Sequence, residues 1–532
     1  MSERFMKAVD GTLNNEVSVT ENGAVGYATS GKKLLDCNFK LSSMRNMTDK
    51  EIVDLFAKAF AEDKDLAVRW LFFARDRVEG CGERRTFRVC LKWLADMEPD
   101  AVRNLIKLVP EYGRMDDVWS VLFDTGLKDD VVEFVAAQLK TDNENLAAGK
   151  AVSLCAKWLP SVNTSSPKTR DLARRLRREL GLSEKDYRKM LSALRTKIAI
   201  VETMISDKSG EGWSKVDYEH VPSLANVKYR NAFLRHDETR RRAFLGALEK
   251  GEAKINASMS TPVDVVHAYG GGYGRGSEDQ TLEAMWKALV DKNAGQLDNT
   301  LVVVDGSGSM SAPVGNTRLT CHDVANGLGL YFADVSSGYY NGRFMTFGAK
   351  PQLVDVTGCR NLRQKIDLVY RYNDCSNTNI ALVFRTLLKS AVSSNVKQDE
   401  MPKNILIVSD MEFDGGCYFA DTQPSQAVSG YMWGRPSGAL DYDADKLSLF
   451  QKLKREYEDA GYQMPRLVFW NVCSRTGTIP LQNNNLGVAL VSGFSPAILD
   501  MVMSGELDPF KLLVEKLSKP RYDAVSKAAG LK

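Results

Sequence analysis

Residues 301–310 read LVVVDGSGSM: four apolar positions run into one acid, two serines and two glycines. An apolar run of this length, bounded by glycine, is the pattern of a strand buried on both faces. The chain beyond it repeats the theme. RLTCHDVANGLGLYFADVSS reads as a helix, GRFMTFGA and PQLVDVT as short strands, NIALVFRTLLKSAV as a helix and NILIVSD as an apolar strand. LSLFQKLKREYEDAGY follows as a helix, RLVFWNV and GVALVSG as strands, and PAILDMVMSGE as a helix. Strands alternating with helices predict a parallel sheet covered on both sides, a doubly wound α/β domain with right-handed crossovers. Ligands of such sheets bind at the carboxyl ends of the strands. That rule places Asp305, Ser307 and Ser309 at a binding edge, where Gly306 and Gly308 allow the tight turn that lets three side chains converge. One carboxylate and two hydroxyls form a hard, oxygen-only donor set suited to Mg²⁺ or Mn²⁺, with water completing an octahedron.

Two later loops extend the set. Thr378, in CSNTNIALVF, offers a hydroxyl just before a helix, and Asp410 ends the strand NILIVSD. Strand-end Asp, loop Thr and strand-end Asp, in that order, resemble the metal-ion-dependent adhesion site of von Willebrand factor A domains, a resemblance covering about 295–520. It implies metal ligation by Asp305, Ser307, Ser309, Thr378 and Asp410. A tight turn, a helix cap and a solvated strand end would use the same residue types. The third motif departs from the pattern by reading SDMEFDGG, with Glu412 and Asp414 close by. These acids either hold water beside the metal or are simply solvated.

The 532 residues, 44% hydrophobic and 26% charged, have an ordinary soluble composition and predict two or three domains. No run approaches a membrane span, and MSERFMKAVDG has no apolar stretch after its charges, so no secretory signal is expected. Nine scattered cysteines without a C-x-x-C argue against a disulfide framework or zinc site and for a reducing, cytoplasmic setting. The four histidines are not paired at ligand spacing. Net charge is +3, yet residues 151–200 hold twelve Lys/Arg against four Asp/Glu, so the rest of the chain is net acidic. A localised basic patch fits an anionic partner.

From about 48 to 250 apolar residues recur every three or four positions, as in DKEIVDLFAKAFAEDKDLAVRWLFFARD, RRTFRVCLKWLADM and DDVVEFVAAQLKT. A row of amphipathic helices predicts an α-solenoid of HEAT-like repeats. Ser183, three residues before Asp186, predicts the N-terminal cap of one of them. HAYGGGYGRGSEDQ (267–280), five of its residues glycine, reads as a flexible connection rather than a dinucleotide fingerprint. The basic excess sits on two consecutive helices. Arg170, Arg174, Arg175, Arg177 and Arg178 lie on the first, with Arg174, Arg177 and Arg178 at i, i+3 and i+4 and therefore on one face. Lys185, Arg188, Lys189, Arg195 and Lys197 lie on the second. Such a stripe can neutralise phosphates, or can be a solvated face whose guanidiniums bond Glu179, Glu184 and Asp186. The turn Gly80-Cys81-Gly82, ahead of a helix starting near Arg84 and Arg85, offers either a phosphate-accepting loop or a plain connection. Lys157 and Asn163, flanking Trp158 and Pro160, could reach RNA, although a Trp at such a position is more often repeat core.

The segments WLFFARDRVEGCGERRTFR (70–88), VPEYGRMDDVW (109–119), AKWLPSVNTSS (156–166) and YRKMLSALRTKIAIVE (187–202) resemble the TROVE-domain proteins of the Ro autoantigen group. With SDMEFDGG and LVFWNVCSR (467–475) they also resemble a related uncharacterised set from phages, bacteria and plants. The resemblance implies a ring of HEAT-like repeats over 1–290, closed by an A domain over 295–532. It also implies small structured or single-stranded RNA as partner, and a monomer. No G-x-S-x-G elbow, Walker loop or H-E-x-x-H occurs, and Ser307 stands where aspartyl-phosphate chemistry needs a second acid. The expected activity is therefore non-catalytic RNA binding. A metal-dependent protein-interaction scaffold, with a partner's acid captured at the metal, and a metal-dependent hydrolase are the competing readings.

Overall fold

The fold is a computed structural model that describes residues 17–198, 200–207, 209–270, 277–348, 350–373, 375–376, 379–414, 448–480, 488–495, 501 and 508–531. The glycine run at 271–276 and Thr378 lie outside them. The chain forms two compact units, one of residues 1–62 and 261–516, the other of 63–260 and 517–532.

The first unit holds a small antiparallel pair, β1 (Val17–Val19) and β2 (Val25–Tyr27), and a six-stranded mixed sheet. Its strands are β3 (Thr300–Asp305), β4 (Arg343–Phe347), β5 (Gln352–Asp355), β6 (Asn404–Ser409), β7 (Arg466–Asn471) and β8 (Val488–Ser492), in the order β5-β4-β3-β6-β7-β8. Every residue of β3 and β8 is buried, as are the last five of β6 and β7. Successive side chains alternate between faces, so both faces are covered. Helices Cys321–Val335 and Leu449–Asp459 lie in the connections from β3 to β4 and from β6 to β7. The glycine at 329 lets the first of these lie close on β3: a Cβ there would stand 2.4 Å from Val304 Cγ2. The expected all-parallel sheet is corrected at one edge, where β5 runs antiparallel to β4. The four residues between them are too few for a crossover, which leaves a hairpin.

Counted from β3, the spatial order is 3-2-1-4-5-6, and the direction of winding reverses between β3 and β6. Crevices in open α/β sheets form outside the carboxyl ends at such a reversal. Asp305 ends β3 and Asp410 follows β6, so both expected strand-end acids flank it.

The expected division at 290–295 is not the one the packing makes. Residues 17–27, which the expected division assigns to the helical domain, bond to loops of the sheet: Ala24 N donates to Phe413 O (3.3 Å) and Tyr27 N to Ile479 O (2.8 Å). Ser42 Oγ donates to Asn471 O at the end of β7 (3.0 Å). Helix Pro262–Ala268 packs on Cys321–Val335. Conversely, Pro520–Ala529 packs on Lys64–Arg75 and Pro99–Leu105 in the second unit.

The second unit contains only helices and turns among the described residues. The long apolar pattern from 49 breaks where Asp63 caps a new helix, its carboxylate accepting from Leu66 N (2.8 Å). Ser183 caps Glu184–Ile198 as expected, accepting from Asp186 N (3.1 Å). A buried ionic cluster organises the first turns: Arg75 and Arg88 both bond Asp117, whose carboxylate is fully buried, at 2.6–2.9 Å. No helix among the described residues is long and apolar enough to cross a membrane.

Candidate functional site

At the winding reversal the turn after β3 brings three of the expected donors together with Asp410. Asp305 is buried; its Oδ1 accepts from Ser307 N (2.9 Å) and its Oδ2 from Ser409 Oγ (2.5 Å). Ser307 Oγ lies 3.0 Å from Ser309 Oγ, and Ser309 Oγ lies 3.4 Å from Asp410 Oδ1. Adjacent corners of a ~2.1 Å magnesium octahedron stand about 3.0 Å apart, so this hydroxyl–carboxylate row has the spacing of one edge. Asp305, Ser307, Ser309 and Asp410 could hold such an ion. Among the described residues no three His, Cys, Asp or Glu side chains cluster as ligands; the donor set is two carboxylates with hydroxyls. Thr378 lies outside the described residues, but Cys375 N donates to Gly306 O (3.0 Å) and Gly308 N to Ser376 O (3.3 Å), which ties that loop to the turn.

Sequence reasoning missed Arg475. Its Nη1 donates to Asp410 Oδ2 (3.0 Å) and Ser309 O (3.3 Å), and its Nε pairs with Glu21 at 2.7 Å. A built-in cation therefore sits beside the donor row, on the oxygen of Asp410 that faces away from Ser309. The available signal was its place four residues beyond β7, on the same carboxyl edge. Glu412 neither holds water for a metal nor is solvated. It is fully buried, and its carboxylate accepts from Glu21 N (2.8 Å), Arg475 N (2.8 Å), Thr476 N (3.0 Å), Thr476 Oγ1 and Ser474 Oγ (both 3.1 Å).

Burial is the main cause that holds both the Asp305 and Asp410 carboxyls above the usual range; the charge of Asp410 adds to it at Asp305, and Arg475 opposes it at Asp410. The folded state thus binds these protons more tightly than the unfolded chain, whose Asp titrates near ~3.9. Their contribution to stability is present at low pH and is lost as pH rises from about 4 through the raised values. In EDTA-containing buffer the Tm difference between about pH 5 and about pH 7 should shift towards lower stability at the higher pH. Asp305→Asn should remove much of that difference; an unchanged pH profile in the variant refutes the assignment.

The basic residues divide sharply. Arg174, Arg178, Lys185, Arg188 and Lys189 are exposed, Arg170 is half-exposed, and none of the six has a side-chain partner among the described residues. On the Pro167–Glu179 helix the free guanidiniums are Arg170, Arg174 and Arg178, spaced by four and so on one face. Arg177, expected in that stripe, instead donates to Leu182 O (2.6 Å) across the Gly181 turn. Arg175 pairs with Asp124 and Asp171. Arg195 is withdrawn altogether: it donates to Ala156 O, Ser161 Oγ and Leu159 O, each at 2.8 Å, and burial lowers its pKa. Lys197 donates to Gly149 O (2.9 Å). The Gly80–Gly82 turn is not a phosphate-accepting loop, because the amides of Cys81, Gly82 and Glu83 are already spent. Cys81 N donates to Phe73 O (3.1 Å), Gly82 N to Asp76 O (3.0 Å) and Glu83 N to Ala74 O (2.7 Å). Arg84 and Arg85 remain exposed at the start of the following helix. Trp158 is half-buried, with the Arg114 guanidinium over its ring at 4.0 Å and Lys157 Nζ at 5.5 Å; Asn163 is exposed.

Two family models match the chain, each described as a domain of unknown function: DUF2828 over residues 20–129 and 173–297, and DUF7788 over 299–522. The chain is similar to an uncharacterised protein, L728, of Acanthamoeba polyphaga mimivirus, 29% identical over 94% of this chain and 87% of that one. Among solved structures, the Ro (RSR) protein of Deinococcus radiodurans aligns over 87% of this chain and 92% of its own, at 12% identity and a TM-score of 0.31.

Proposed function

We propose that this chain is a non-catalytic, Ro-like RNA-binding protein that takes small structured or single-stranded RNA on a basic face of its helical unit. The observation that carries the reading is the stripe of uncommitted cations on two consecutive helices: Arg170, Arg174 and Arg178, then Lys185, Arg188 and Lys189. The motifs at 70–88, 109–119, 156–166 and 187–202 support it, as does a local charge excess in an otherwise acidic chain. In this reading the helical unit is a HEAT-like array and the sheet unit a von Willebrand factor A-like domain. Asp305, Ser307, Ser309, Asp410 and Thr378 ligate Mg²⁺ or Mn²⁺ there, and the protein works as a cytoplasmic monomeric ribonucleoprotein.

The test is whether nucleic acid follows the chain through purification and which charges hold it. The wild type should copurify with RNA that a salt wash strips. Arg174→Glu with Arg178→Glu and Arg188→Glu should weaken binding at least about a hundredfold and flatten the log K against log salt slope by about 2–3, the range for three lost phosphate contacts on single-stranded to duplex nucleic acid. Retention of RNA by the triple variant refutes the reading.

The gathering of Asp305, Ser307, Ser309 and Asp410 favours a second activity, capture of a partner's carboxylate at the metal. A protein-interaction scaffold without RNA would show partner binding lost in EDTA or in Asp305→Ala, and untouched by nuclease.

A further inference from the structure

The helical unit holds a second concentration of arginines, separate from the 167–198 stripe. Arg75, Arg88 and Arg114 share two carboxylates. Arg75 bonds Asp117 (2.9 Å), Arg88 bonds Asp117 (2.6 Å) and Asp116 (2.8 Å), and Arg114 takes Asp116 with both Nε (2.8 Å) and Nη2 (2.6 Å). Three guanidiniums on two carboxylates leave one positive charge in excess. Two more stand at the rim. Arg84 lies one turn before Arg88 on the same helix. The backbone N of Arg77 donates to Tyr112 O (3.2 Å), two residues from Arg114. Both are exposed, and neither side chain has a hydrogen bond or ion pair among the described residues. The nearby acids are bonded to other groups: Asp76 is held by Arg521 (2.5 and 2.9 Å) and Tyr522 (3.1 Å), and Glu111 reaches Arg521 at 3.6 Å, so Asp76, Asp116 and Asp117 act on the two rim arginines only through their charge. Partial burial, then the charge of Arg114, lowers the pKa of Arg77 and of Arg84; Arg88 lowers Arg84 further.

We infer that Arg77, Arg84 and Arg114 form a binding site for a phosphate group. The reasons are geometric and chemical. Planar guanidiniums carried on three elements that these bonds hold side by side match an anion with several oxygens better than a single planar carboxylate. Arg114 is fixed beforehand by Asp116 on its edge and Trp158 on its face, so little order remains to be imposed on binding. The phosphate belongs either to RNA, which rests on the reading proposed above, or to a free nucleotide.

Full-length protein titrated with AMP, with inorganic phosphate and with a single-stranded oligoribonucleotide separates these. Wild type should bind AMP or phosphate in a saturable manner, and Arg77→Ala with Arg84→Ala should weaken this at least about tenfold. The unchanged melting of that variant, which loses no folded-state bond of either side chain, excludes unfolding as the cause. The Arg174→Glu, Arg178→Glu, Arg188→Glu variant should bind AMP as wild type does. Binding of AMP but not of the oligonucleotide keeps this site, assigns the phosphate to a free nucleotide and removes the RNA reading. Absence of AMP and phosphate binding by wild type, or equal binding by the Arg77/Arg84 variant, overturns the inference.

Discussion

Asp117→Ala should destabilise the helical unit by about 3–5 kcal/mol, lowering its Tm by roughly 10 °C. Asp117 is fully buried and accepts from Arg75, Arg88 and the backbone N of Arg114. The Arg75 guanidinium beside it is itself 2% exposed, so deletion leaves a positive charge with neither water nor a counter-ion. A buried pair gives little net stability over an apolar one, but breaking it from one side is costly. The signature that distinguishes this from lost packing is rescue: Arg75→Met in the Asp117→Ala background should recover part of the loss, since the stranded charge goes with it. A loss under about 1 kcal/mol, the range of surface pairs, would show that the cluster is solvated.

Glu412→Ala should be comparably damaging, about 3–5 kcal/mol, because at least three amides lose a buried acceptor and each stranded donor costs about 1–3 kcal/mol. Those amides belong to Glu21, Arg475 and Thr476. They join the turn between β1 and β2 to the loop after β7 through one carboxylate. The effect should therefore be spatially ordered. Amide exchange of Glu21 and protease cleavage near 17–27 should accelerate before the sheet itself melts, and Glu412→Gln should fall between wild type and alanine. Uniform destabilisation without early loss of the N-terminal strands would refute this role.

The strands of the sheet were legible because burial on both faces leaves apolar runs with no polar alternation, as in LVVVD and NILIVSD. The placement of Asp305 and Asp410 followed from strand ends alone. The antiparallel β5 was not legible as such, since direction is set by the length of a connection and not by the composition of the strand. The fate of individual cations was equally hidden. Arg177 and Arg178 are adjacent in sequence, yet one is bound to a carbonyl beyond Gly181 and the other is free. Arg195 shares its charge run with Arg188, but a short helix and its C-terminal cap, 36–39 residues upstream, supply carbonyls that absorb it. Arg475 escaped notice because the motif that ends on it, LVFWNVCSR, does not by itself mark a site; only the shared edge of the sheet connects it to Asp410.

The division of the chain into 1–62 with 261–516, and 63–260 with 517–532, bears on how the molecule is made. On a ribosome adding about 5–20 residues per second, β1 and β2 emerge long before Phe413 and Ile479, to which they bond. The Lys64–Arg75 helix likewise waits for Pro520–Ala529. Neither half can close its core during synthesis until distant sequence has been translated. Nascent chains stalled after Ser260 should therefore present apolar surface to chaperones, and emergence of residues 261–532 should coincide with the acquisition of protease resistance by both units.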